Sequence, residues 1–511
     1  MMVSYSSEWI TDRPSTFLSS SSRLSRRYRL TPQGHRQSEK QQSTHAFATP
    51  ITPSGSTINL ESLARASPPI TAQHQRSDSR PPSRPLSMLQ TYQPPIMDVA
   101  QDTLPELMPI FTYLNSHSNK LYQEGYFLKL HDLDTRGRPS PDRTWTECFA
   151  QLVGTVLSLW DASALDVAGE DGEVVPTFIN LADASIKMIE SLPMNDAGGH
   201  SLQNVLSVST AANNRYLFHF NSLNSLTQWT AGIRLAMYEH STLQEAYTGS
   251  LIAGKGKSLN NIKTIMERTR FKYEDWCRVR FGAGTPWRRC WCVISPPDEK
   301  EYQKLQKTLK KRPVYDRSPL ILKGDMKFYE TRKITKKTRP IATISDAYSA
   351  YAIYPQSKPL IDQSTLVKVE ARITIHSSPE SSTEGFVFVM PESHAAVTGF
   401  EIMLRFLFPV WDVFNLYGRP NRLIAEVLDT RSLMFAMPRE RRYGYLDVLD
   451  VASLIHSDDS HMVSLRMIFR MSHHLLQHMV FPTQEMDILR VQFVEVSTLA
   501  QITSASLQKA S

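Results

Sequence analysis

The chain has 511 residues, of which 41% are apolar and 21% charged, so it exceeds one ordinary domain and cannot be disordered throughout. Four cysteines, Cys148, Cys277, Cys290 and Cys292, exclude a disulfide scaffold. The most apolar stretch, "FEIMLRFLFPVWDVF", is broken by Arg405, Pro409 and Asp412 and falls short of the roughly 20 residues a bilayer helix requires. With no basic-then-apolar signal peptide at the start, a soluble protein of a reducing compartment is expected. The net charge of +7 conceals an asymmetry: residues 255–340 hold 24 Lys and Arg against 9 Asp and Glu, a local +15 that leaves −8 on the remainder. That segment alone is able to attract an anionic surface.

Residues 1–100 are rich in Ser, Pro, Gln and Arg, with too little apolar periodicity to offset ordering entropy, and read as a disordered tail. Ser83 and Ser87, each close to an arginine, are candidate kinase substrates there. A helical lead-in follows at 101–120. Short alternating runs then succeed one another: "GYFLKL", "WTECFAQLVGTVLSLWD", "TFINLADASIKMI", "LQNVLSVST" and "RYLFHFN". Strands at this spacing imply a small barrel or sandwich. The helix "LTQWTAGIRLAMYEH" closes the series. After a basic stretch the pattern runs again, through "WCRVRF", "WRRCWCVI", "LILKGDMKFYETR", "IATISDAYSAYAIYP", "VEARITIHSS" and "GFVFVMP", to the helical "VTGFEIMLRFLF".

The two closing helices superimpose. Leu226, Trp229, Ile233 and Ala236 have the same spacing as Val397, Phe400, Leu404 and Leu407, and each set makes one apolar stripe. An internal repeat follows, with Trp229 and Phe400 as plugs of duplicated β-units.

An all-β unit closed by one helix with an early aromatic resembles the pleckstrin homology (PH) fold. "GYFLKL" with "WTECFAQL", and "WRRCWCVI" with "VTGFEIMLRF", carry the likeness. Over about 90–455, "LPELMPIFTYLNSHSNKLYQEGYFLKL", "RFGAGTPWRRCWCVI" and "LDTRSLMFAMPRERRYGYLDVLDVASLI" further resemble a fungal family of tandem PH-domain proteins. Its members are accessory subunits of the CCR–NOT transcription and deadenylase complex, or bud-neck proteins. The resemblance implies a mainly β protein with capping helices: two PH-like seven-stranded barrels, each closed by a C-terminal helix, behind a disordered N-terminal tail. The expected layout is a first PH-like domain at 121–250, a basic linker at 251–270 and a second PH-like domain at 271–418 with a basic insertion at about 298–340. A helical extension at 419–455 and a tail at 456–511 unlike the family complete it.

No constellation for catalysis is evident. "GSLIAGKGKS" approaches a phosphate-binding loop, but Gly256 stands where the magnesium-binding hydroxyl belongs and no strand precedes it. Cys290 and Cys292, two apart, and His474 with His478, four apart, lack the partners a metal site needs, so neither metal nor cofactor is expected. PH domains that hold inositol phosphates use cations on the first two strands, which directs attention to Lys129 in the first unit. There Glu147 stands near the place an arginine would occupy. In the second unit the candidates are Arg278, Arg280, Arg288 and Arg289, with Lys333, Lys336 and Lys337 from the insertion. Alternation allows only part of that cluster to point one way. Three partners fit in descending order: proteins of the CCR–NOT machinery or the bud-neck cortex, an anionic or phosphoinositide membrane, and RNA phosphate.

Overall fold

The computed structural model describes residues 92–455 apart from short internal stretches, the longer ones being 169–172, 194–200, 309–321 and 438–445. Residues 1–91 of the tail expected at 1–100 and the tail expected at 456–511, with Ser83, Ser87, His474 and His478, lie outside the described residues. Residues 92–100 are irregular but anchored: Asn115 exchanges hydrogen bonds with the backbone of Met97 at 2.9 and 3.1 Å.

A 3₁₀ turn, Pro105–Leu107, leads into α1, Met108–Ser118, which opens with a proline where a missing N–H costs nothing. The first sheet begins with β1 (Leu121–Leu133), β2 (Thr146–Val153) and β3 (Val156–Asp161). Helix α2 (Ala162–Ala168) precedes β4 (Thr177–Asn180) and β5 (Ser185–Ile189). A two-residue ribbon of β6 (Leu192–Pro193) and β7 (Ser201–Leu202) is followed by β8 (Val205–Ser209) and β9 (Arg215–His219). The seven-stranded order is β4-β3-β2-β1-β9-β8-β5, antiparallel throughout. The run "TFINLADASIKMI" supplies two strands rather than one. The Asn180 side chain accepts from the Ala182 N–H and Ala184 N–H bonds Leu181 O, which turns the chain between β4 and β5. Gly154 makes the β2–β3 turn at φ +56°, where a Cβ would stand 3.0 Å from Ser118 O at the end of α1.

Helix α3, Leu223–Gly256, is the longest element, 34 residues and about 50 Å at 1.5 Å per residue. The Ser222 hydroxyl caps its start by accepting from Ser225 N–H at 3.1 Å. Its first half lies in the core of the first sheet. Trp229 is 2% exposed, edge-on to Phe127 at 5.1 Å and 6.2 Å from Phe220. Its second half belongs to a different core: Leu243, Ala246, Leu251 and Ile252 share one cluster with Ile110 and Phe111 of α1 and with the interior of the second barrel. The stretch expected to be a linker from residue 251 therefore starts inside a buried helix. Gly249 and Gly254 of the phosphate-loop look-alike serve close packing instead; a Cβ at Gly249 would meet Leu433 at 2.9 Å.

After α4 (Ile262–Met266) come β10 (Tyr273–Phe281), β11 (Arg288–Ser295), β12 (Asp325–Tyr329) and β13 (Ala342–Ala352). The short α5 (Lys358–Ile361), β14 (Val367–Ile375), β15 (Ser381–Pro391) and α6 (Gly399–Phe414) complete the unit. Strands β10 to β15 close on themselves as a six-stranded barrel, one strand fewer than expected. The reason lies in β13. It runs 11 residues, bends at two register shifts, and pairs with β12 at its start and β14 along its length. Thr398 caps α6 through Glu401 N–H, and Asn415 ends it in the left-handed conformation. Phe400 is 2% exposed within the barrel core.

The C-terminal extension returns to α3. A 3₁₀ turn, Leu433–Ala436, packs beside Gly249, and α7 (Val448–Ala452) places Val451 in the first core together with Ile455. Arg419 ties the end of α6 to α4, donating to Asp412 and, at 2.7 Å, to Met266 O.

A buried polar latch joins α1, β1 and α3. Lys120 Nζ donates to both Glu239 oxygens at 2.8 and 2.9 Å, and the Tyr122 hydroxyl donates to the same carboxylate. His117 lies 3.3 Å from Ala236 O and its ring 5.9 Å from that of His240. Burial, reinforced by the neighbouring cations, lowers the pKa of His117 to about 3 and that of His240 to about 4. Because both folded values lie below the unfolded one, stability is full above about pH 6.5 and falls as acid protonates the unfolded chain first. By pH 5 each histidine is expected to cost about 2 kcal/mol. Urea midpoints measured between neutrality and pH 5 check this; His117→Gln should flatten part of the slope.

Candidate functional site

Strand alternation divides the second barrel's arginines between two faces. Cys277, Val279 and Phe281 point into the core from β10, as do Cys290, Cys292 and Ile294 from β11. Arg278 and Arg280 therefore face outward on β10 and Arg289 outward on β11, while Arg288 extends the inward row to the exposed rim. Burial raises the thiol pKa of Cys290 to about 12 and pushes that of Cys277 well up, so both stay protonated and unreactive. Among the described residues no group of three His, Cys, Asp or Glu is placed to hold a metal.

The outward arginines meet different fates. Arg280 Nη2 donates to Ala211 O of the first sheet's β8–β9 turn at 3.1 Å, next to a bond from Gly284 N–H to the same oxygen at 2.9 Å. Burial lowers its pKa, against the pull of Asp183. Arg289 grips Glu392 with two bonds of 2.6 and 2.9 Å and lies over the Trp276 ring, 3.9 Å from its centroid. That contact raises the arginine's pKa and lowers the carboxyl's. Arg278 is exposed, opposite Arg289 in the β10–β11 register. Lys333 and Lys337 are exposed in the β12–β13 loop, and Lys336 lies outside the described residues. The described members of this cluster thus do not converge on one mouth.

In the first unit Lys129 is half-buried on the same face as Thr146 and Cys148, whereas Glu147 pairs with Leu128 on the other face. The carboxylate expected near the mouth is therefore turned away from it. Arg143, at 2.6 Å, and Arg215, at 2.5 Å, both bind the fully buried Asp132. Arg136 and Arg138 remain exposed in a loop closed by their backbone N–H bonds to Asp134.

Sequence reasoning missed the contact between the two units. Lys368 of β14, 2% exposed, donates to Asp183 Oδ1 at 2.5 Å and to Ala182 O at 3.4 Å in the first sheet's β4–β5 turn, with Glu370 also 3.4 Å away. Its ammonium lies 4.7 Å from the Phe386 ring centroid. Burial works against its charge, but Asp183, Tyr351 and Glu370 together hold its pKa well above the usual lysine value. Beside it, Ser349 Oγ donates to Glu245 at 2.6 Å, and Thr248 Oγ1 accepts from Ala352 N–H at 3.2 Å, so α3 is bonded directly to β13.

Two family models match these two units: a PH domain over residues 121–238 and a fungal PH-like domain over residues 258–435. The CCR4-NOT transcriptional complex subunit CAF120 of Saccharomyces cerevisiae is 39% identical over 368 residues, which cover 70% of this chain and 33% of that protein. The chain is therefore a tandem PH-domain protein whose second domain is of the fungal PH-like kind. It spans about a third of the length of that curated relative. An uncharacterized Saccharomyces cerevisiae protein, YJL016W, is 21% identical over 68% of this chain and 70% of its own length. Among solved structures, the PH domain of ArhGAP27 aligns at 19% identity over 22% of this chain and 97% of its own, with a TM-score of 0.18. The C-terminal PH domain of human pleckstrin aligns at 18% identity over 23% and 81%, also with a TM-score of 0.18. In this tandem PH protein no described helix is long and apolar enough to cross a membrane.

Proposed function

We propose that the tandem PH unit is a non-enzymatic scaffold that presents protein-binding faces within a CCR4-NOT-type assembly in the cytoplasm, or at the bud-neck cortex. The observation that carries this reading is the use already made of the basic cluster. Arg280 is engaged with the first domain and Arg289 with Glu392, so among the described residues these arginines do not converge on a headgroup site. Helix α3 and Lys368 hold the two domains in a fixed relation, which suits a surface that docks other proteins. The likeness to a CCR4-NOT subunit supports the choice of assembly. Affinity purification of the tagged full chain from its native fungus tests it. Deadenylase or bud-neck subunits are expected in the eluate, and their consistent absence would count decisively against the scaffold.

A second reading is favoured by the exposure of Arg288 at the barrel rim and of Lys333 and Lys337 in the β12–β13 loop. On this reading the second domain adheres to anionic membrane. Sedimentation with phosphoinositide vesicles should then fall steeply with salt and with Arg288→Glu; binding indifferent to both ends that reading.

A further inference from the structure

We propose that the outer face of β10–β12 is a docking site for an acidic segment of a protein partner, with Arg332 as its carboxylate-binding group. This rests on the scaffold reading and names one surface and the chemistry of what it receives. Trp276 and Trp291 meet edge to face at 5.4 Å across β10 and β11, above a patch completed by Val293, Tyr329 and Ile334. Each ring carries one guanidinium. Arg289 lies 3.9 Å from the Trp276 centroid and Arg332 lies 5.0 Å from that of Trp291. The first of these stacked arginines displays what such a group does here: its two donors grip both oxygens of Glu392. Arg332 is held in the same manner and is exposed, but it has no carboxylate partner among the described residues.

A guanidinium held on an aromatic ring loses less freedom when it binds, and its planar fork fits a carboxylate with two bonds. The surroundings favour a negative ligand. Exposed Arg278 stands on the same face of β10 as Trp276, and exposed Lys333 follows Arg332 in the chain. Glu392 is engaged with Arg289, Glu274 with Lys272 at 2.7 Å, Asp275 with His394 at 2.9 Å and Asp325 with Lys327 at 2.7 Å, while Glu330, two residues before Arg332, is exposed. The geometry disfavours the other anionic surfaces. Trp291 is 5% exposed and Trp276 is covered by Arg289, so neither ring is free to insert among lipids or to stack on a base. Trp276, Trp291, Val293 and Tyr329 of the patch lie on the barrel wall, and Arg332 and Ile334 reach it from the β12–β13 loop. An acidic peptide needs only the forks and the flanking charges.

The test uses the full chain and a labelled peptide of alternating glutamate and serine, with its glutamine counterpart, phosphatidylserine vesicles and poly(A) as separate arms. The glutamate peptide is expected to bind and the glutamine peptide not. Arg332→Ala should weaken binding about tenfold, equivalent to about 1.4 kcal/mol. Arg332→Lys should recover only part of it, since a point charge lacks the fork, and Arg136→Ala in the exposed loop of the first domain should change nothing. Unaltered unfolding midpoints establish that the variants are folded, which the exposure of Arg332 predicts. The proposal is overturned if Arg332→Ala binds the peptide as the parent does, if lysine restores binding fully, or if only vesicles or poly(A) respond to Arg332. Loss of the Arg332 effect while complex subunits still co-purify removes this site alone. Peptide binding that survives the absence of those subunits removes the scaffold reading alone.

Discussion

Replacing Lys368 with methionine is expected to destabilise the described unit by about 3–5 kcal/mol, because it strands buried carboxylates rather than removing a surface pair. Lys368 is 2% exposed and answers Asp183 from the first domain and Glu370 from its own barrel. The folded pKa lies above the ordinary lysine value, so the contribution is complete below about pH 10.4 and is lost only as pH rises through the folded value. Guanidinium unfolding at neutral pH therefore reads the whole effect. Adding Asp183→Asn and Glu370→Gln to Lys368→Met should return much of the loss, since the penalty belongs to the uncompensated charges. A single variant that unfolds with the parent would mean that the two domains do not meet through this residue.

Trp229→Ala is expected to cost a further class of energy, about 3–5 kcal/mol, through loss of apolar transfer and the cavity left behind. The ring is 2% exposed and packs against Phe127 and Phe220. Trp229→Phe keeps most of the volume and should cost far less. Phe400→Ala should act in the same way on the second barrel, where that ring is equally buried. A loss below about 1 kcal/mol at Trp229, where buried aromatic truncations ordinarily cost 3–5, would contradict its place as a core residue.

Much of the architecture is readable because apolar side chains alternate or recur at a helix period. Strand β1 shows it in Phe127 and Lys129 on one face and Leu128 on the other. The stripe Leu226, Trp229, Ile233 and Ala236 is buried throughout, at 2% exposure or less. The reading stops where burial is supplied by a distant part of the chain. In "VKVEARITI" the polar residues Lys368, Glu370 and Arg372 alternate like a solvated face, yet Lys368 and Glu370 are buried because the β4–β5 turn of the first domain and its neighbours cover them. Nothing local to β14 announces that cover. The same is true of the end of α3. Gly249, Gly254 and Gly256 weaken helix propensity and Lys255 and Lys257 suggest solvent, which together spell a linker. Burial of Leu251 and Ile252 in the second core outweighs those preferences. The basic cluster was visible as composition, but its division between two faces depends on register. Arg280 and Glu147 illustrate this: one is consumed by Ala211 and the other points away from Lys129.

The central claim is that α3 unites two PH domains into one structural body. Hydrogen exchange along Tyr238–Ile252, followed by mass spectrometry on the native chain, tests it most directly. If the helix is the shared spine, these amides exchange as slowly as those of β1 and β13, and Lys368→Met speeds them. Fast exchange confined to this segment, with protected sheets on either side, would describe two beads on a tether and would contradict the account.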